Sequence, residues 1–179
     1  DGRGRIEDLI NNYARMSFNF GPTLLTWMRR ERPDVYEAVI RADRLGLERF
    51  HGHGPAIAQA YNHMILPLAT RRDKRTQIRW GIEDFRHRFG REPEGMWLPE
   101  TAVDTGSLEL MAEEGIRYTI LAPHQASEVR SPDSEWTAVE QETLDTGRAY
   151  RIPLPSGRDI AAFFYDGATS RAVAFEELL

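Results

Sequence analysis

The chain has 179 residues, 41% of them apolar, and a formal net charge of −5. This length and composition suit one soluble globular domain, and no apolar run is long enough to span a bilayer. The negative charge argues against general nucleic-acid binding, which depends on clustered Lys and Arg. Cysteine is absent, which excludes disulfides and thiolate metal sites. No signal peptide is visible, so we expect a cytoplasmic protein.

The first half of the chain alternates predicted strands and helices, without repeats. A strand is expected over residues 15–20, followed by an amphipathic helix that opens at Pro22 and a second helix over 33–47. Another strand is predicted over 56–61. A helix over 73–89 then places its apolar side chains on one face and ends at Gly90.

The second half begins with an apolar strand over 95–100, and Asp104 or Thr105 can cap the helix that follows. Gly115 would end that helix before a strand over 117–121, so the segment reads as a right-handed βαβ unit with parallel strands. Residues 123–148 are polar with little periodicity, which indicates a functional loop. Strands over 150–154 and 159–166 form a hairpin-like pair, and a last helix starts near Thr169.

This last helix has an apolar face with no following strand to cover it. Its members are Ala172, Val173, Phe175 and Leu178. We therefore expect one domain over residues 1–179 that is a fragment of a larger α/β barrel and exposes an apolar seam at one or both ends. The strands should lie in one largely parallel sheet, with their C-terminal ends on one rim.

Glu100 is the leading candidate for a catalytic residue. It closes the run GMWLPE over residues 95–100, and in parallel α/β barrels the chemistry lies at the C-terminal ends of the strands. Trp97 is three residues earlier, on the opposite side of an ideal strand. A sugar-stacking platform and a packed core side chain are equally compatible with that position.

Two motifs in order, AYNHMILPL over 60–68 and GMWLPE over 95–100, resemble the family-57 glycoside hydrolases, most closely an uncharacterised bacterial branch. The resemblance covers most of the chain. It implies part of an incomplete (β/α)7 TIM-like barrel that acts mainly on α-glucans by a retaining mechanism, as a hydrolase or glucanotransferase. It also implies Glu100 as the nucleophile, with His63 and His124 binding sugar.

The resemblance is incomplete at both ends. The family's first His-containing motif has no counterpart, and its general acid is an Asp on a later strand. Asp166 is one candidate, but its surroundings are more similar to the stretch that precedes that motif. We therefore favour an acid beyond Leu179 and a substrate-binding role for Asp166. The isolated chain should show no turnover without the rest of the parent barrel, and no cofactor or metal is expected.

Two alternatives stay open. His51 and His53 point the same way on an extended segment, and with His63 they would supply ligands for a metal-dependent polysaccharide deacetylase. Such sites normally add an early Asp, and none is evident here. The third hypothesis is a non-catalytic carbohydrate-binding barrel, because a fold does not fix an activity.

Overall fold

The computed structural model describes residues 10–140 and 143–175. Within these ranges the helices are α1 (Pro22–Glu31), α2 (Pro33–Arg49), α3 (Arg71–Phe89), α4 (Thr105–Glu113) and α5 (Gly167–Phe175). The strands are β1 (Ala58–Gln59), β2 (Met96–Trp97), β3 (Tyr118–Leu121), β4 (Glu128–Val129), β5 (Thr137–Ala138), β6 (Ala149–Pro153) and β7 (Asp159–Phe164). Short 3-10 turns cover Asn12–Ala14, Leu66–Leu68, Pro99–Thr101 and Pro123–Gln125.

The two helices beside the site, α3 and α4, have capping residues at their starts and glycines just after their ends. Thr70 caps α3 by accepting a hydrogen bond from the backbone N–H of Asp73 at 3.2 Å, and Gly90 ends the helix with φ of 69°. Asp104 caps α4 in the same way, and Gly115 follows it with φ of 89°. A left-handed residue at a helix end suits glycine, which lacks a Cβ. The predicted ends at Gly90 and Gly115 and the predicted cap at Asp104 are confirmed, whereas α3 starts at Arg71, two residues before the predicted position.

The strands that lead to the site run parallel. β1 pairs with β2, and β3 pairs with β7. Isolated parallel bridges join Phe18 to Ala56 and Gly95 to Tyr118, so the spatial order is the Phe18 segment, β1, β2, β3 and β7. β6 adds an antiparallel edge beside β7. The prediction of a mixed α/β fold with largely parallel strands is confirmed.

Alternate residues divide this sheet into a covered face and an open face. Ala58, Met96, Thr119 and Ala162 share one face, and all four are buried. Ala58 and Met96 lie in the main core with apolar side chains of α3 and α4, among them Ile78, Ile82, Phe85, Leu108 and Met111. Ala162 lies in a second, smaller cluster with Leu121, Leu144 and Phe164. On the opposite face Gln59, Trp97 and Ile120 are only half-buried, and Phe163 is 43% exposed. The core therefore lies on one side of the sheet.

Several predicted strands prove shorter than expected. Residues 15–20 contribute a single bridge at Phe18, because the chain turns into α1 directly after Phe20. β2 ends at Trp97, since Pro99 has no N–H for a further ladder hydrogen bond. Glu100 therefore lies in a turn beyond the strand. The expected loop over 123–148 contains the antiparallel pair of β4 and β5.

The last helix starts at Gly167, two residues before the predicted position. None of its described side chains is buried, and Val173 and Phe175 are 54% and 86% exposed. This is the apolar seam that the sequence predicts, although Leu178 lies outside the described residues. Over 10–140 and 143–175, no helix is long and apolar enough to cross a membrane.

Candidate active site

Glu100 lies in a tight turn at the end of β2, with an unusual backbone. Its φ and ψ are 55° and 22°, and the next residue, Thr101, has φ of 53°. Two local bonds close the turn: the backbone N–H of Thr101 donates to the Leu98 carbonyl, and that of Ala102 to the Pro99 carbonyl, both at 3.0 Å. Because Leu98 and Pro99 are buried, they anchor the turn while the Glu100 side chain points outward.

The first motif supplies a partner for this carboxylate. His63 follows β1, and its Nε2 lies 2.9 Å from Glu100 Oε1. An ionised carboxylate only accepts hydrogen bonds, so the imidazole N–H is the donor. The segment carrying His63 is fixed by the fully buried Leu66 and by Gln77, whose Oε1 accepts from the Asn62 backbone N–H at 2.8 Å. His63 and Glu100, which follow the parallel strands β1 and β2, thus lie on the same rim of the sheet.

Both members of this pair are open to a ligand. The side chains of His63 and Glu100 are 64% and 73% exposed. A solvent-exposed pair contributes little to folding free energy, typically about 0–1 kcal/mol. The arrangement instead leaves a carboxylate beside a hydrogen-bond donor at the rim, where it can meet an incoming electrophilic carbon.

Asp104, four residues after Glu100, is held by hydrogen bonds to α3 and α4. Its Oδ1 accepts from the Ser107 backbone N–H at 2.8 Å and from Ser107 Oγ at 2.5 Å, and its Oδ2 accepts from Lys74 Nζ. Burial raises the pKa of the Asp104 carboxyl, but the hydrogen bonds from Lys74 and Ser107 outweigh it and hold the pKa below its usual value. An ionised Asp104 thus links α3 to the start of α4.

The other predicted site residues, Trp97, His124 and Asp166, lie on three different elements. Trp97 is half-buried on the open face of β2, and His124 is exposed in the turn after β3. Asp166 Oδ1 accepts from the Thr169 backbone N–H at 2.6 Å, so Asp166 caps α5, and this hydrogen bond lowers the pKa of its carboxyl. Within the described part of the chain, His63 is the one predicted site residue that bonds Glu100.

Sequence reasoning missed Gln125. Its Nε2 donates to the Thr101 carbonyl at 2.9 Å, and its Oε1 accepts from the Ala122 backbone N–H at 2.8 Å. Gln125 therefore connects the turn after β3 to the Glu100 turn. The available signal was a polar side chain shortly after a strand end, on the same rim as Glu100.

The three histidines do not form a common site. His53 Nδ1 bonds Glu94 Oε2 at 3.0 Å, whereas His63 bonds Glu100. His51 is exposed, with φ of 55°. Across residues 10–140 and 143–175, no three His, Cys, Asp or Glu side chains are placed to hold a metal ion. The arrangement gives no support to a metal site built from these histidines.

A groove of about 990 Å³ runs along α3 and does not include Glu100 or His63. Its basic lining is largely neutralised: Arg75 and Arg79 pair with Glu114, and Arg86 pairs with Glu83. This pattern fits the charged, solvated face expected of such a helix better than a catalytic cleft.

Comparison with known proteins agrees with the two motifs. The sequence model described as glycosyl hydrolase family 57 matches residues 13–177. Alpha-amylase 1 of Dictyoglomus thermophilum is 29% identical over 107 residues, which are 59% of this chain and 15% of that protein. The chain thus spans well under half of the length of this relative.

Solved structures show the same fold. The 4-alpha-glucanotransferase of Thermococcus litoralis aligns with a TM-score of 0.62 at 20% identity, over 93% of this chain and 24% of that one. A proposed polysaccharide deacetylase of Mycobacterium smegmatis aligns with a TM-score of 0.55 at 16% identity, over 88% of this chain and 43% of that one. The fold alone does not separate these two activities, but the family match covers most of the sequence. The chain therefore belongs to glycosyl hydrolase family 57.

Proposed function

We propose that this chain is the central part of a family-57 catalytic barrel that cleaves or transfers α-glucan, with Glu100 as the nucleophile. The hydrogen bond of 2.9 Å between His63 and Glu100 carries the proposal, because it joins the two family motifs at one rim of the sheet. The names of two similar proteins, an amylase and a 4-alpha-glucanotransferase, support an α-glucan substrate.

The proposed reaction follows the retaining scheme. The Glu100 carboxylate attacks the anomeric carbon while a general acid protonates the leaving glycosidic oxygen, and water or an acceptor sugar then releases the covalent intermediate. His63 stabilises the ionised carboxylate before attack, since its N–H donates to Oε1. Transfer and hydrolysis differ only in which hydroxyl reaches the intermediate.

The general acid must carry a proton at working pH, so a raised pKa suits it. Asp166 has the opposite property, because its hydrogen bond from Thr169 lowers the pKa of its carboxyl. That carboxylate is also engaged as the cap of α5. We therefore propose that the acid is an Asp beyond Leu179, in a longer protein that carries this chain.

The decisive experiment is Glu100→Gln in that longer protein. The substitution keeps the shape but removes the nucleophilic charge, so kcat/KM on α-glucans should fall by several orders of magnitude with little change in folding. Glu94→Gln is the matched control, because Glu94 also bonds a histidine, His53, and should change activity only slightly.

Substrates with highly activated leaving groups sharpen the test. A protein that lacks the nucleophile should not form a glycosyl-enzyme from these substrates. A protein that lacks only the general acid should still form it. Full activity of the Glu100→Gln protein on every α-glucan tested would reject Glu100 as the nucleophile. Absence of turnover in the unaltered longer protein would instead favour a non-catalytic binding barrel.

A further inference from the structure

We propose that Gln125 is a positioning residue that holds the Glu100 turn in its reactive shape. This inference rests on the proposed role of Glu100. Gln125 has no part in the chemistry itself; its side chain bonds the backbone of Thr101, directly after Glu100, at 2.9 Å.

The turn needs an external restraint because its backbone is strained. Glu100 and Thr101 have successive φ values of 55° and 53°, in the left-handed region that non-glycine residues rarely occupy. Thr101 is β-branched, so its side chain is poorly suited to this conformation. Such residues persist only where surrounding contacts enforce them, and they concentrate at functional sites.

Local bonds alone give the turn limited support. The two backbone bonds from Thr101 and Ala102 join residues only three apart, and the Thr101 hydroxyl donates to the Glu100 carbonyl at 2.7 Å, within one dipeptide. The Gln125 bond differs because it comes from the neighbouring strand end and fixes the Thr101 carbonyl. With that carbonyl fixed, rotation of the backbone toward ordinary negative φ is opposed, and the carboxylate stays beside His63.

The chemistry of this contact is specific to an amide. Gln125 must accept from the Ala122 N–H at 2.8 Å and donate to the Thr101 carbonyl at 2.9 Å. Glutamine carries both an acceptor oxygen and a donor NH₂, whereas ionised glutamate only accepts. Gln125 is itself held by its own N–H, which donates to the Ala122 carbonyl at 3.0 Å. The Gln125 side chain thus connects the end of β3 to the Glu100 turn by hydrogen bonds.

The test uses Gln125→Glu in the longer protein, since this change keeps the bond to Ala122 and removes the donor to Thr101. We expect kcat on α-glucan to fall about 10- to 100-fold, as for small misplacements of a reacting group, with KM within about threefold. Hydrogen exchange of the peptide over 98–104 should become faster than in the unaltered protein. Thr143→Val is the matched control, because it removes two side-chain-to-backbone bonds to Glu140 and none to the Glu100 turn.

Repeating the Gln125→Glu substitution in a Thr101→Gly protein separates a positioning role of Gln125 from a general effect on stability. Thr101→Gly relieves the strain at position 101, so Gln125→Glu should lower kcat less in that background than in the unaltered protein. An equal loss in both backgrounds, a kcat within twofold of normal, or a lower kcat without faster exchange would each overturn the proposal. If Glu100→Gln proves fully active, the proposed function fails, yet the exchange measurement still decides whether Gln125 holds the turn.

Discussion

Replacing Asp104 separates two contributions to the stability of the segment that follows Glu100. Its side chain caps α4 through Ser107 and pairs with Lys74. The Lys74 side chain is only 8% exposed, whereas that of Asp104 is 40% exposed. Asp104→Asn keeps a good capping residue but removes the charge, and Asp104→Ala removes both.

The expected magnitudes follow from these contacts. Loss of an N-cap costs about 1 kcal/mol, and an unpaired, nearly buried charge costs about 1–3 kcal/mol. Breaking a fully buried ion pair costs about 3–5 kcal/mol, which is an upper limit here because Asp104 is partly solvated. We therefore expect about 1–3 kcal/mol for Asp104→Asn and about 2–4 kcal/mol for Asp104→Ala. Adding Lys74→Met to Asp104→Asn should recover most of the loss, since no buried charge then remains unpaired.

The pH dependence gives an independent test. The folded pKa of Asp104 lies below its usual value of 3.8, so the unfolded chain takes up the proton first as pH falls. The contribution of Asp104 is therefore complete above about pH 5 and disappears as pH falls through the folded pKa. The stability difference between the natural protein and Asp104→Asn should shrink accordingly.

Hydrogen exchange of α4 peptides in increasing urea measures this local free energy without requiring the whole protein to unfold in one step. Equal protection of the natural protein and Asp104→Asn at neutral pH would refute the reasoning. A stability difference that is the same at pH 7 and below pH 3 would refute it as well.

The helices were predictable because their signals are local. Gly90, Asp104 and Gly115 were identified from the sequence as helix ends, and Thr70 gives the same kind of local signal at the start of α3. The strands were predicted less well, because their extent depends on partners distant in sequence. β1 and β2 each have two residues, although the apolar runs that contain them suggested six.

The same contrast between local signals and tertiary contacts applies to the candidate site. Position on the rim follows from strand order, so the proximity of His63 and Glu100 was predictable, while their chemical roles stay predictions. The left-handed backbone at Glu100 was not predictable, since nothing local favours it and the bond from Gln125 is a tertiary contact. Local rules fail most often where function imposes strain. That failure at Glu100 itself supports a functional role for the turn.

Two further substitutions test the fold and the acid. In Gly81→Ala the new Cβ would lie 2.0 Å from the Gln59 carbonyl oxygen, so α3 must move away from β1. The free energy of unfolding, measured by thermal denaturation, should fall by at least about 1–3 kcal/mol. Gly106→Ala, with ordinary contacts, is the control and should not destabilise. Asp166→Asn should barely change stability, because Asn caps helices as well as Asp. It should also lower turnover only mildly, since an engaged carboxylate with a lowered pKa is a poor proton donor. A collapse of turnover that spares only highly activated leaving groups would instead identify Asp166 as the general acid.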